Sequence, residues 1–125
     1  MPDIYSFSFH ILILLASDMA DISELSDLNL RTGKIVGVED ANTKKPMYKL
    51  TIDLGELGTR SIMAGIKPYY SKEALMGKTI IVVANLEPKK IGDYVSEGML
   101  LAAESEDKVL LLTIDGELPP GSMIM

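Results

Sequence analysis

Alternating hydrophobic and polar positions predict that most of this chain folds as short β-strands. In residues 47–54, Tyr48, Leu50, Ile52 and Leu54 share one face, while lysine, threonine and aspartate occupy the other. Because successive side chains of a strand point to opposite sides, this period of two predicts a half-buried strand. Further strands are predicted at residues 30–39, 59–64, 79–84, 99–104 and 108–114, which are short apolar or β-branched runs. A polar, basic connection joins the strand predicted at residues 79–84 to the strand predicted at residues 99–104, the fourth and fifth in chain order.

Two short helices are predicted to accompany the strands. Ser23 is expected to cap a turn that ends at Asp27, before the first strand. Residues 68–77 contain a capping serine, helix-forming residues and a terminal glycine, which together predict a short helix between the third and fourth strands. Many short strands with one helix at that point follow the order of an OB-fold. The sequence therefore predicts an all-β, five-stranded Greek-key barrel with a C-terminal extension.

The first 18 residues differ from the rest of the chain. Their apolar run, residues 4–16, is shorter than the roughly 20 residues that span a bilayer, and Asp3 stands where a secretory signal has basic residues. We therefore expect no membrane partner. Three interpretations remain: a non-native extension ahead of a start at Met19, an extra element docked on the barrel, and a partner-binding end. We favour the first, which leaves a single domain at residues 19–125.

Charge is distributed unevenly along a chain whose formal net charge is −6. Residues 1–30 have no lysine or arginine, and residues 91–125 have one basic and seven acidic residues. Residues 31–90, in contrast, have eleven basic and six acidic residues. Local potential attracts phosphates more than net charge does, so the basic middle is compatible with a nucleic-acid partner. An ordinary solvated surface would give the same count, and charge alone therefore leaves this open.

Several classes of catalytic and metal site are disfavoured by composition. The chain has no cysteine, which excludes disulfides, thiolate metal sites and a cysteine nucleophile, and is typical of a reducing cytoplasm. A single histidine makes a histidine-based zinc site improbable. Gly77-Lys78-Thr79 resembles the end of a phosphate-binding loop, but Lys72 replaces its first glycine and a strand follows, so we interpret it as a turn. We expect no cofactor, no metal and no catalytic residue.

Five short motifs carry a resemblance to a known family. In chain order they are Leu30-Arg31-Thr32-Gly33-Lys34-Ile35, Ile52-Asp53-Leu54-Gly55, Arg60-Ser61-Ile62-Met63-Ala64-Gly65-Ile66, Asn85-Leu86-Glu87-Pro88-Lys89-Lys90 and Ser96-Glu97-Gly98-Met99-Leu100-Leu101. Together they resemble the tRNA-binding domain family. Its members include free-standing tRNA-binding proteins, the C-terminal appendix or separate β subunit of methionyl-tRNA synthetases, EMAP II-like cytokine domains and CsaA export chaperones.

The resemblance covers about residues 24–125, and it is greatest to the free-standing β-subunit type. It implies a cytoplasmic homodimer that binds tRNA by shape and serves the catalytic chain of methionyl-tRNA synthetase without being catalytic itself. A CsaA-like chaperone, which would bind extended peptides on the same barrel, is the alternative. Shape recognition is physically reasonable because A-form RNA hides its base edges in a deep groove.

Eight residues are candidates for RNA contacts under this resemblance. Phosphate contacts are expected from Lys34, Lys49, Arg60, Lys89 and Lys90, sugar or base hydrogen bonds from Asn85 and Ser96, and packing against a base or ribose from Met99. Structural roles remain open for several of them. Met99 would equally suit a gap in the core, Asn85 a hydrogen bond to a loop backbone, and Lys34 and Lys49 an outward position on a strand.

Overall fold

The structure is a computed structural model that describes residues 19–125, so the interpretation of residues 1–18 lies outside the described residues. Among residues 19–125 the α-helices are α1 (Ile22–Ser26) and α2 (Lys72–Leu75), and Gly55–Leu57 forms a 3-10 turn. The strands are β1 (Leu30–Asp40), β2 (Tyr48–Asp53), β3 (Thr59–Ala64), β4 (Thr79–Val83), β5 (Lys89–Ile91), β6 (Tyr94–Ser96), β7 (Met99–Leu100), β8 (Ala102–Ser105) and β9 (Lys108–Leu111). Within these residues no helix has the length and apolar character needed to cross a membrane.

Five of the strands form an antiparallel sheet in the order β3-β2-β1-β4-β7. β1 is the central strand, because its first half pairs with β4 and its second half with β2. The register of β1 against β2 shifts between Ile35 and Gly37, and a bulge of this kind bends a strand around a barrel. The segment between β6 and β7 lies against β3, so the sheet closes almost completely. The predicted all-β OB-type barrel is confirmed.

The barrel interior is filled by the apolar faces of β1 to β4. Tyr48, Leu50, Ile52 and Leu54, the face predicted from the period of two, are all buried. Fully buried isoleucine, leucine and valine side chains from β1, β3, α2 and β4 complete this core, namely Ile35, Ile62, Leu75, Ile80 and Val82. Burial of each such side chain stabilises the fold by about 1.5–3 kcal/mol.

The structure corrects three local predictions. The N-cap of α1 is Asp21, not Ser23, because the Asp21 carboxylate accepts from the Ser23 N–H while Glu24 reaches back to the Asp21 N–H. The predicted fifth strand is split at Leu101 into β7 and β8. The Leu101 N–H donates to Ile81 and its carbonyl accepts from Leu112, which turns the chain out of the barrel. The polar, basic connection between the fourth and fifth predicted strands, to which no strand was assigned, contains a hairpin, β5–β6.

Residues 119–124 run antiparallel to the first residues of β1. The backbone of Thr32 accepts from Gly121 at 2.7 Å and donates to Ser122 at 2.9 Å, and Ile124 donates to Leu30 at 2.9 Å. The fully buried Thr32 hydroxyl accepts from the Ser122 N–H and donates to Pro119. A Cβ at Gly121, whose φ is +84°, would overlap the Leu54 carbonyl oxygen. Residues 119–122 are thus locked against the barrel.

Candidate nucleic-acid interface

Two polar segments meet on one flank of the barrel. The first is the β1–β2 loop, residues 41–47, which is closed by a hydrogen bond from the Ala41 N–H to the Met47 carbonyl at 3.1 Å. The second is the β5–β6 hairpin, whose tip is formed by Gly92 and Asp93. The Asn42 N–H donates to the Tyr94 hydroxyl at 2.9 Å and joins the two segments. The β1–β2 loop and the β5–β6 hairpin, some fifty residues apart in the sequence, therefore form one surface.

A cleft of about 540 Å³ lies between the loop and the hairpin. Its lining combines apolar, amide, hydroxyl and charged groups from both segments, namely Asn42, Thr43, Lys44, Lys45, Met47, Ile91, Gly92 and Asp93. The OB-fold commonly binds oligonucleotides through the face of its second and third strands and through the loops that follow the first and fourth strands. Both of these loops line the present cleft.

Four lysines lie on the two segments, and we call Lys44, Lys45, Lys89 and Lys90 the basic loop cluster. All four are exposed, and among residues 19–125 none has a carboxylate within 4 Å of its ammonium group. Such cations can replace the counterions of a phosphate backbone. Sequence reasoning identified Lys89 and Lys90 but not Lys44 and Lys45. Their position in a loop after the first OB strand was the signal that would have identified them.

Asp40, at the end of β1, neutralises other cations beside the same loop. Its carboxylate bonds Lys67 at 2.8 Å and Lys72 at 2.6 Å. The hydrogen bonds from Lys67 and Lys72 lower the pKa of Asp40, and the hydrogen bond to Asp40 raises the pKa of Lys72. Lys67 also lies 5.8 Å from the centre of the Tyr48 ring. These two lysines are consequently engaged within the protein, unlike the basic loop cluster.

Lys34 and Lys49 occupy the outward positions that were left open for them. Lys34 is exposed on β1, opposite Asp53 and Thr79 in the register of the neighbouring strands. Lys49 lies on β2 opposite Glu39, with 3.9 Å between the ammonium and the carboxylate. Lys49 is also opposite Met63 of β3, which is bonded through its N–H to Ser96 on the hairpin. Lys49 is therefore in line with the hairpin across the strands β2 and β3, whereas Lys34 lies further along the outer face of the sheet, on β1.

Arg60 and Asn85 are engaged in bonds within the protein. The half-buried Arg60 guanidinium donates to the carbonyls of Ala84 at 2.8 Å and Glu97 at 3.3 Å. The Asn85 amide accepts from the Asn29 N–H and donates to the Asp27 carbonyl, both at 2.7 Å. The loop-backbone role considered for Asn85 is therefore confirmed. Direct RNA contact by either residue stays a prediction, and each side chain keeps further N–H donors that these bonds do not use.

Ser96 and Met99, at the two ends of one motif, have opposite environments. Ser96 is 5% exposed, and its hydroxyl accepts from the Met63 N–H at 3.0 Å and donates to the Gly98 carbonyl at 3.1 Å. Met99 is 53% exposed, so the interpretation of this residue as a core gap-filler is wrong. Gly98, between them, has a φ of +148°, which side chains rarely adopt, and a Cβ there would lie 3.0 Å from the Val83 carbonyl oxygen. The motif exposes a thioether and buries a hydroxyl.

The fold and the surface define a small OB-type barrel with a cationic loop interface. The family model described as tRNA binding domain matches residues 30–123. Methionine–tRNA ligase of Methanococcus maripaludis is 44% identical over 107 residues, which are 86% of this chain and 16% of the ligase. The chain belongs to the tRNA-binding domain family. It spans about a sixth of the length of such a ligase.

Two solved structures share the whole barrel. The CsaA chaperone protein from Picrophilus torridus has a TM-score of 0.81 and 38% identity, over 86% of this chain and all of that chain. The MetRS related protein from Pyrococcus horikoshii has a TM-score of 0.79 and 35% identity, over 86% of this chain and 99% of that chain. The resemblance expected from the five motifs is therefore confirmed at the level of the family and the fold.

Proposed function

We propose that the chain binds tRNA by shape, through the basic loop cluster and the adjoining wall of β2 and β3. The observation that carries this proposal is that four lysines, none with a carboxylate partner among residues 19–125, lie on the two segments that OB barrels use for oligonucleotides. The family to which the chain belongs supports tRNA as the ligand. Lys49 and Met99 extend the surface, while Arg60, Asn85 and Ser96 hold the chain segments that present it.

The side chains favour recognition of a folded RNA over a single strand. Single-strand binders stack successive bases on aromatic rings. Among the described residues, those that line the cleft include no aromatic ring, and Tyr94 beside it is held through its hydroxyl by the Asn42 N–H. Lysines without stacking partners contact phosphates and give little sequence preference. The chain therefore binds many tRNAs with similar affinity, and we place it in the cytoplasm with them.

The module acts as a homodimer through an apolar face on α1 and the C-terminal tail. Ile22 is 83% exposed, Leu25 57% and Met123 65%, and they line an apolar groove of about 560 Å³. Contiguous apolar surface of this kind is typical of an interface. In an isologous dimer this face would pack against its own copy and bring two basic loop clusters into one particle.

The dimer serves methionyl-tRNA synthetase in trans. The matched ligase carries the equivalent segment within its own chain, where it forms 16% of the length. A separate module that binds both tRNA and the catalytic chain would raise the local concentration of tRNA near the active site. This role requires no catalytic residue in the module.

A salt titration of tRNA binding tests this proposal. Unfractionated tRNA should bind at low salt, and log K should fall linearly with log salt, with a slope of about −0.9 for each phosphate neutralised. Sedimentation of the free protein should give a dimer. The absence of tRNA binding at low salt would overturn the proposal, and a monomer that still binds tRNA would remove the dimer alone.

A CsaA-like export chaperone that binds extended peptides is the second candidate. The observation in its favour is the likeness to the CsaA chaperone protein from Picrophilus torridus along that protein's whole length. Exposed Met99, Met123 and Met125 provide adaptable apolar contacts for peptides. Tight binding of unfolded peptides, with no shift of tRNA at low salt, would favour this function over the first.

A further inference from the structure

The free edge of β3 is completed by two side chains from the segment between β6 and β7. The Ser61 N–H donates to the Glu97 carboxylate at 3.0 Å, and the Met63 N–H donates to the Ser96 hydroxyl at 3.0 Å. A single backbone bond, from the Glu97 N–H to the Ser61 carbonyl at 2.7 Å, lies between them. Side-chain oxygens thus take the places that strand carbonyls would occupy in a regular ladder.

These bonds determine where the β5–β6 hairpin lies. Ser96 is opposite Lys89 in the hairpin register, and Lys90 is opposite Val95. Arg60 adds bonds to the carbonyls of Glu97 and Ala84, which lie near the two ends of the segment that contains the hairpin. The Ser96 hydroxyl donates its only hydrogen to the Gly98 carbonyl and accepts a hydrogen bond from the Met63 N–H, so it has no further hydrogen to donate. Glu97 therefore fixes the base of the arm that carries Lys89 and Lys90.

We infer that Glu97 is a positioning residue for tRNA binding: its carboxylate fastens the lysine-bearing hairpin to β3. This inference rests on the proposed function. Charge alone predicts the opposite effect of Glu97 on tRNA affinity, because an acid close to a polyanion site would weaken binding by repulsion. Here the removal of the acid weakens binding, because it leaves the Ser61 N–H without its acceptor and loosens the hairpin. The hairpin is then held only by the bonds of Ser96, Arg60 and the Glu97 backbone.

Three substitutions separate position from charge. Glu97→Ala removes the acceptor, and we expect tRNA affinity to fall about fivefold, which corresponds to the loss of one hydrogen bond. Glu97→Gln keeps an acceptor oxygen without the charge, so its affinity should equal or exceed that of the wild type. Glu97→Asp keeps the charge on a shorter side chain, so its affinity should fall as for alanine. Glu87→Ala, an exposed acid on the β4–β5 connection, is the control and should not weaken binding.

Amide hydrogen exchange of the free protein supplies a readout without RNA. The Ser61 amide should exchange faster in the alanine and aspartate variants than in the wild type and the glutamine variant. Equal or tighter tRNA binding by Glu97→Ala and Glu97→Asp, with a wild type that binds, would overturn the role of Glu97 alone. A wild type that does not bind tRNA would overturn the proposed function and this role together. If the alanine variant does not fold, the aspartate and glutamine pair decides.

Discussion

The β5–β6 and β8–β9 hairpins both extend from the barrel, and they differ in charge and in attachment. The β5–β6 hairpin lies along β3, carries Lys89 and Lys90, and meets the β1–β2 loop through Tyr94. The β8–β9 hairpin follows β7, carries Glu104, Glu106 and Asp107 at and around its turn, and exposes 62% of Leu110. The second hairpin is held by bonds from the Leu111 N–H to the Tyr70 hydroxyl and from Thr113 to Thr79.

The difference shows that net charge is a poor guide to the partner of this chain. The same barrel presents a cationic arm and an anionic arm, and only the cationic arm borders a cleft lined by further lysines. A polyanion that approaches the molecule would bind the first arm and be repelled by the second. The acidic total of the sequence therefore reflects both ends of the chain, residues 1–30 and 91–125, whereas the proposed binding surface lies in the basic middle.

The largest expected effect comes from removing the charge of the cationic arm. Lys89→Ala with Lys90→Ala should weaken tRNA binding by roughly ten- to a hundredfold near 0.1 M salt, because about two phosphate contacts are lost. The magnitude of the salt slope should decrease by about two. Affinities for several purified tRNAs, measured across a salt series, would check this.

A matched double variant tests whether position or total charge is responsible. Lys78→Ala with Lys108→Ala removes the same charge, from the turn before β4 and from the anionic arm. We expect its affinity to stay within about threefold of the wild type, since exposed charges are screened beyond about 10 Å at this salt. An equal loss in both double variants would mean that no local site exists.

The next effect concerns the attachment of the anionic arm. Tyr70→Phe removes the acceptor of the Leu111 N–H and should lower the free energy of unfolding by about 1 kcal/mol. Urea denaturation measures the loss, and tRNA affinity should be unchanged. Tyr69→Phe, at an exposed neighbouring ring, should leave both properties unchanged. A fall in tRNA affinity for Tyr70→Phe would show that the two arms are coupled.

A smaller effect is expected when the anionic arm is made cationic. Glu104→Lys with Glu106→Lys should raise tRNA affinity by less than about threefold, because exposed charges outside the cleft act through screened solvent. The gain should disappear as salt is raised. A gain as large as the loss from Lys89→Ala with Lys90→Ala would mean that either hairpin can bind the RNA, so that the two hairpins would not differ in this function.

The smallest effect concerns Asp40, which begins the loop that meets the cationic arm. Because its pKa is lowered in the folded state, its stabilising contribution is present above the ordinary value of 3.8 and is lost as pH falls through the folded value. For Lys72 the pKa is raised, so that contribution is present below 10.5 and is lost as pH rises further. Asp40→Asn should therefore be less stable than the wild type at pH 7, and the difference should shrink as pH falls below 3.8. Urea midpoints across this range provide the measurement, and a constant difference would contradict it.

The barrel itself was predictable because its signals are local. The period of two in residues 47–54 identified the buried face of β2, and the helix between β3 and β4 was indicated by Ser71, which caps α2, and by Gly77, whose φ is +82°. The β5–β6 hairpin was missed because its strands have only three residues each, too few to show a period. The Gly92-Asp93 pair at its tip was the available signal.

The site was less predictable because the role of each polar side chain depends on distant partners. Nothing near Ser96 in the sequence indicates that its hydroxyl would be buried against Met63, 33 residues away. In the same way Arg60 reads as an exposed cation, yet it bonds carbonyls 24 and 37 residues further on. Lys89 and Lys90 were predicted as phosphate contacts in a polar, basic connection; both are exposed, and the contacts themselves stay a prediction.

The hydrogen bonds between Thr32 and residues 119–122 affect how the protein folds. They join residues 87 to 90 positions apart, so β1 cannot complete its pairing until residues 119–124 are available. Contacts of such separation incur their loop-closure entropy before they stabilise the chain, which slows folding. During synthesis the first residues of β1 would stay paired on one side only until residues 119–124 have been made. A nascent chain paused before Pro119 would therefore expose an unpaired edge of the central strand.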